Sequence, residues 1–137
     1  MTATHLTDYL AYGTRRHPQR TAAVGPRGDT LTYAELDRQS GALARWLASR
    51  GVGRGDRVGV VVPKSLTAVV AIFGILKAGA GYVPVDHAAP AERGRRILED
   101  CRVRAVIVDG HCLGVVPAPD ASAGGPAAVL VADAVPG

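Results

Sequence analysis

The densest group of glycines, Gly51-Val52-Gly53-Arg54-Gly55, is the first candidate for chemistry, since closely spaced glycines let a backbone approach a phosphate. A dinucleotide-binding fingerprint needs a third glycine at position 56, where Asp56 stands, with a strand before the glycines and a helix after them. Here the helical pattern comes first and the strand pattern second, so no helix N-terminus points at a phosphate. The segment reads as a helix-to-strand turn. Arg-Gly-Asp occurs at Arg27 to Asp29 and at Arg54 to Asp56, both where turns are expected. An adhesion role would require secretion, and Met1 to Tyr12 carries Asp8 and no uninterrupted apolar stretch that could serve as a signal. His5, His17, His87 and His111 are far apart, and only His111 has a neighbour of ligand type, the adjacent Cys112. Adjacent residues rarely ligate one metal, so no metal site is expected. The serines at 40, 49, 65 and 122 lack the elbow or paired base of a nucleophile. Glu92, Glu99 and Asp100 read as a solvated helix face, and no Gly-rich, Lys-containing phosphate loop occurs. No residue is therefore assigned as catalytic, cofactor-binding or metal-binding.

The elements that would carry such groups alternate regularly. Leu6, Tyr9 and Leu10 fall at helical spacing, and Pro18 ends that helix. Thr21 to Val24 and Thr30 to Tyr33 read as strands of a hairpin around Gly25-Pro26-Arg27-Gly28-Asp29. Thr32 and Glu35 have the spacing of a capping box, in which each side chain satisfies the other residue's amide. The helix they start places Leu36, Ser40, Leu43 and Leu47 on one face, and Gly51 closes it. Arg57 to Val62 then reads as a strand covered on both faces, and Ser65 to Lys77 as a helix that ends at Gly79. Gly81 to Val85 is the next strand, Pro90 to Asp100 a helix in spite of Gly94, and Val103 to Val108 a further strand. This order predicts an α/β fold with a parallel βαβαβ sheet, flanking helices, and an N-terminal helix plus hairpin. Residues 1–109 form this core. Residues 110–137 form a Gly, Pro and Ala-rich segment, a loop from Gly110 to Pro126 with one short strand at Val129 to Ala132.

The helix from Ser65 to Lys77 is apolar on nearly all sides, through Leu66, Val69, Val70, Ile72, Phe73, Ile75 and Leu76. Either the fold wraps it unusually well or a partner completes its burial. The two lysines, Lys64 and Lys77, read as helix-end residues favoured by local dipoles or solvent.

The chain has 137 residues, enough for one domain, with 47% hydrophobic and 20% charged residues, which suits a folded protein rather than a disordered one. Aromatics are only 4%, so Val, Leu, Ile and Ala must build the core. The formal charge is +4, but the arginines are spread over many elements, which argues against nucleic-acid binding. Cys101 and Cys112 make neither a disulfide framework nor a metal spacing and read as free thiols. The most apolar segment, Leu66 to Leu76, is about half the length a bilayer needs. A cytoplasmic protein is expected.

Two segments carry a family resemblance. Leu31-Thr32-Tyr33-Ala34-Glu35-Leu36 resembles the first core motif of the adenylation domains of nonribosomal peptide synthetases, in the adenylate-forming, AMP-binding superfamily. Leu76-Lys77-Ala78-Gly79-Ala80-Gly81-Tyr82-Val83-Pro84-Val85-Asp86 resembles the second, and its ending favours amino-acid activators over acyl-CoA ligases. Pro90-Ala91-Glu92-Arg93 with Ile97-Leu98-Glu99-Asp100 is similar to the helix that follows, and the likeness runs from about Leu6 to Asp133. Gly81, where alanine is commoner, and His87-Ala88-Ala89 depart from the pattern.

The resemblance implies part of a larger adenylate-forming fold. The complete domain uses ATP and magnesium to make an aminoacyl adenylate, then passes the acyl group to a carrier-protein thiol. The family places its phosphate loop, substrate pocket, magnesium-binding acid and catalytic lysine beyond the segment present here. An N-terminal portion, inactive alone and needing no cofactor of its own, is therefore expected. Its partner would be a second chain completing the domain, or a carrier protein. A non-catalytic α/β module docking on a synthetase, or part of an acyl-CoA ligase, are the alternatives.

Overall fold

The computed structural model describes residues 5–118 and 125–131. An N-terminal helix, α1 (Leu6–Arg16), leads into a two-stranded antiparallel hairpin of β1 (Thr21–Val24) and β2 (Thr30–Thr32). Tyr33 is already helical, so β2 is one residue shorter than the apolar pattern suggests. Helix α2 (Tyr33–Ser49) starts on the capping box: the Glu35 amide donates to Thr32 Oγ1 at 3.1 Å, and the Thr32 amide to Glu35 Oε1 at 3.0 Å. Its buried residues are Leu36, Ser40, Leu43 and Leu47, the stripe read from the sequence. Gly51 follows in the left-handed region at φ 81°, where glycine is free of the Cβ penalty.

These two amide bonds make a prediction. The Thr32 backbone amide, and then the Thr32 side chain, hold the Glu35 carboxylate below the usual carboxylate range. A carboxyl depressed in the folded state adds stability above its unfolded pKa, and that increment is lost as pH falls through the folded value. Glu35→Gln should therefore flatten the acid limb of a stability–pH profile below about pH 4.3. Thr32→Ala should cost about 0.5–2 kcal/mol at neutral pH, measured by urea melts.

The second half is the predicted alternation. Strands β3 (Arg57–Val61), β4 (Gly81–Pro84), β5 (Ala105–Val108) and β6 (Ala128–Val131) form one parallel sheet in the order β4-β3-β5-β6. Helix α3 (Leu66–Lys77) joins β3 to β4, and α4 (Ala91–Asp100) joins β4 to β5. Three of these strands are shorter than their apolar runs, because Val62, Val85 and Val103 go on packing into the core outside the paired residues. Pro90 stands at the N-cap, one place before the first helical residue. The expected last strand is present from Ala128. Ala132 and residues 119–124 of the expected loop lie outside the described residues.

Both faces of the sheet are covered. On one, Leu43 and Leu47 of α2 and Ala71 and Ile75 of α3 pack on Val58, Val60, Ala105 and Ile107. On the other, Leu98 of α4 packs with Val61, Val106, Val108 and Val115. A third cluster joins Leu10, Leu31, Leu36 and Val70, with Phe73, Val69 and Leu66 against it. Helix α3 thus lies between the sheet and the α1–hairpin layer, and no residue from Leu66 to Lys77 is exposed. The fold buries Val70, Ala71, Gly74 and Ile75 but leaves Leu66, Val69, Ile72, Phe73 and Leu76 half-buried, so it covers the apolar circumference only in part.

The expected loop from Gly110 to Pro126 needs correcting. Gly110–Val115 is a 3-10 helix, capped by the Asp109 carboxylate, which accepts from the His111 amide at 2.9 Å. Its Val115 is buried against α4. There it explains Gly94, since a Cβ at that position would collide with Val115 Cγ2. The small residues around it read as solvated loop, but one valine aimed at a helical glycine is enough to dock the segment.

Candidate functional site

In parallel α/β sheets, small ligands bind outside the carboxyl ends of the strands, where neighbouring connections leave to opposite faces. That point lies here between β3 and β5, since α3 departs to one face and the 3-10 helix to the other. The polar groups around it are Lys64, Ser65, Asp86, His87, Asp109, His111 and Cys112.

Most of them are engaged in shaping the loops. Ser65 Oγ accepts from the Ala68 amide at 3.2 Å and donates to the Pro63 carbonyl at 2.9 Å, so it caps α3. Asp86 accepts from the Ala88 amide at 2.9 Å, and Asp109 closes the 3-10 turn. Cys112 Sγ lies 3.7 Å from the His87 carbonyl. Burial, and then the charge of Asp109, push the Cys112 thiol up, which disfavours the reactive thiolate. The rim shapes turns; among the described residues it presents no nucleophile beside a base.

The other groups weighed from sequence lie elsewhere. Gly51 to Gly55 forms the turn from α2 into β3 at the amino end of the sheet, and Gly53 donates its amide to Asp56 at 2.8 Å. Both Arg-Gly-Asp copies sit in turns. Glu92, Glu99 and Asp100 are exposed on α4, where Glu92 lies 3.7 Å from Arg96.

Sequence reasoning missed the role of Lys77. Rather than a solvated helix end, it is largely buried, and Nζ donates to Asp37 Oδ1 at 2.8 Å and to the Asp37 carbonyl at 3.0 Å. It ties the end of α3 to the first turns of α2. The second motif quoted above is thereby joined, across 40 residues, to the residue that follows the first. Only a hydrophilic residue at the end of an apolar helix hinted at this.

A family model described as AMP-binding enzyme matches residues 10–136. The chain belongs to that family. Among its AMP-binding relatives, tyrocidine synthase 2 of Brevibacillus parabrevis is 44% identical over 89 residues, 65% of this chain and 2% of that protein. The solved structure of the nonribosomal peptide synthetase FmoA3 superposes with a TM-score of 0.82 at 35% identity, over 98% of this chain and 14% of that one. A Mycobacterium tuberculosis fatty acyl CoA synthetase gives 0.77 at 27% identity, over 90% of this chain and 26% of that one. The chain thus spans a small part of each relative, and its sheet and helices are part of the larger adenylate-forming fold.

The family implies ATP and magnesium. Among the described residues, no three His, Cys, Asp or Glu side chains are grouped as metal ligands. The carboxyl rim offers one lysine, Lys64, and no glycine-rich loop ahead of α3. Phosphate chemistry needs several cations and amide donors converging on one point. The residues described do not fit a magnesium–nucleotide site. No helix among them is long and apolar enough to cross a membrane.

Proposed function

We propose that these 137 residues form the N-terminal portion of an amino-acid-adenylating, AMP-forming domain of nonribosomal peptide synthesis. On this reading residues 1–109 are the α/β scaffold, and 110–137 lead toward the phosphate-binding loop. They contribute no catalytic, nucleotide-binding or metal-binding group. The complete domain activates an amino acid with magnesium–ATP to the aminoacyl adenylate, releases pyrophosphate, and loads a carrier-protein thiol in the cytoplasm. The polypeptide that completes the domain is the main partner.

The observation that carries this reading is the link from the start of α2 to the second motif. The capping box starts α2, Lys77 ends α3, and Asp37 joins them, so the recognisable residues are framework. The likeness to FmoA3 over 98% of the chain supports an amino acid as the activated group. The likeness to a fatty acyl CoA synthetase favours a second reading, with a carboxylic acid as substrate and coenzyme A as acceptor.

The test is amino-acid-dependent ATP–pyrophosphate exchange. The 137 residues alone should give background exchange, and addition of a chain carrying the rest of an adenylation domain should restore it. Exchange by the isolated protein would show that it holds catalytic groups after all. Exchange dependent on fatty or aryl acids, rather than amino acids, in the complemented enzyme would favour the second reading.

A further inference from the structure

The end of the sheet opposite the carboxyl rim has a composition that neither the fold nor adenylation requires. Arg50, Arg54, Arg57, Arg102 and Arg104 all lie there, and all are exposed. In the sheet, Arg57 pairs with Gly81 on β4, and the Arg104 amide donates to the Arg57 carbonyl, so these residues form a row across three strands. Arg50 ends α2, Arg54 sits in the turn into β3, and Arg102 follows α4.

Three guanidiniums are held in place. Arg57 Nη1 donates to the Cys101 carbonyl at 3.3 Å, and Arg104 Nη2 to the Gly51 carbonyl at 3.4 Å. Arg50 lies over the Trp46 ring, 5.3 Å from its centroid. These contacts place cations at the carboxyl ends of α2 and α4, where the helix dipole favours them. They use only part of the donor capacity, because a guanidinium has five N–H groups. Among the described residues, none of the five is ion-paired with a carboxylate. The acids of the same end are Asp56, engaged with the Gly53 amide, and Glu99 and Asp100 at the end of α4.

Beside these arginines stand two glycines without local cause, Gly53 in the turn before β3 and Gly81 at the start of β4. Gly53 and Gly81 are absent from the positive-φ positions, and a Cβ on either would meet nothing within 4 Å. Neither conformation nor packing inside this chain calls for them. A strand glycine of that kind marks a place where another backbone comes close.

We propose that the amino end of the sheet, with its exposed arginines and the open positions at Gly53 and Gly81, docks an acidic segment of a partner protein. Arginine and tryptophan are the residues that anchor protein interfaces, and pre-fixed guanidiniums lose little entropy on pairing with carboxylates. Trp46, already covered by Arg50, and the exposed Tyr82 on β4 are the aromatics nearest this rim, so a nucleic acid is the competing ligand that the test must separate. The inference does not depend on the adenylation reading.

The probe is a fluorescent polyglutamate peptide, titrated against the purified protein at low and physiological salt, with a single-stranded oligonucleotide of equal charge beside it. Binding of the peptide should be salt-dependent and weaken at least about tenfold in Arg54→Glu, at an exposed side chain. Gly81→Val should keep the fold by circular dichroism and also weaken binding. Arg27→Glu, in the exposed hairpin turn, makes the same change in net charge and should leave binding within about twofold of the parent. Three results would overturn the proposal: no binding of the peptide at low salt, equal loss in Arg27→Glu and Arg54→Glu, or tighter binding of the oligonucleotide.

Discussion

Leu98→Ala should destabilise the protein by about 2–5 kcal/mol, read as a lower urea midpoint with an unchanged slope. Leu98 is fully buried, and its side chain fills the hollow above Gly59 on β3. A Cβ on Gly59 would come within 2.5 Å of Leu98 Cδ2, so the strand has given up a side chain to admit the leucine. Truncation leaves a void whose walls are Val61, Val106 and Val108, all on strands that the ladder holds in place. Collapse is therefore poor, which puts the loss toward the upper part of the range. Small domains hold only about 5–15 kcal/mol in total, so this one change removes a large share. Ile97→Ala, one residue away and 37% exposed, is the control and should cost little. Equal effects from the two variants would mean that α4 does not seat on the sheet through Leu98.

Gly74→Ala should also destabilise, although alanine is the better helix former by about 1 kcal/mol. The new methyl would lie 2.6 Å from Leu43 Cδ2, 2.8 Å from Cγ and 2.9 Å from Cβ. Leu43 is buried between α2 and the sheet and has nowhere to turn. The two helices must separate, and overpacking of this kind costs about 1–3 kcal/mol. Gly74→Val should be worse still. In a double-mutant cycle, Leu43→Ala should relieve part of the clash, giving a combined loss smaller than the sum. Strict additivity would show that α2 and α3 do not meet at this pair.

Much of this arrangement was legible in the residues because it is local. The capping box, the Leu36–Leu47 stripe and the glycine at 51 all act within a few positions of one another, so α2 could be read from end to end. The alternation of strand and helix likewise implied parallel pairing without any view of contacts. What escaped was long-range. Nothing near Lys77 announces Asp37, and nothing near Gly94 announces Val115, because each pairing exists only after the sheet has brought its helices together. The ends of β3, β4 and β5 were overextended for a related reason: burial continues past the ladder, and apolar patterning reports burial. The candidate site followed the same rule. The motifs as framework could be read from their residues, whereas the turns that Asp86 and Asp109 close on their own loops could not.

The two edges of the parallel sheet have unequal consequences for solubility. On β4, the amides of Gly81 and Val85 point inward to Asp56 and Val60, so position 84 faces outward, and Pro84 removes that donor. On β6, Ala128 to Val131 is apolar, without proline or charge, and β5 is its one strand partner among the described residues. Unwanted strand-to-strand association during expression should therefore start at β6, and a lysine at Val129, 40% exposed, is the substitution that would suppress it.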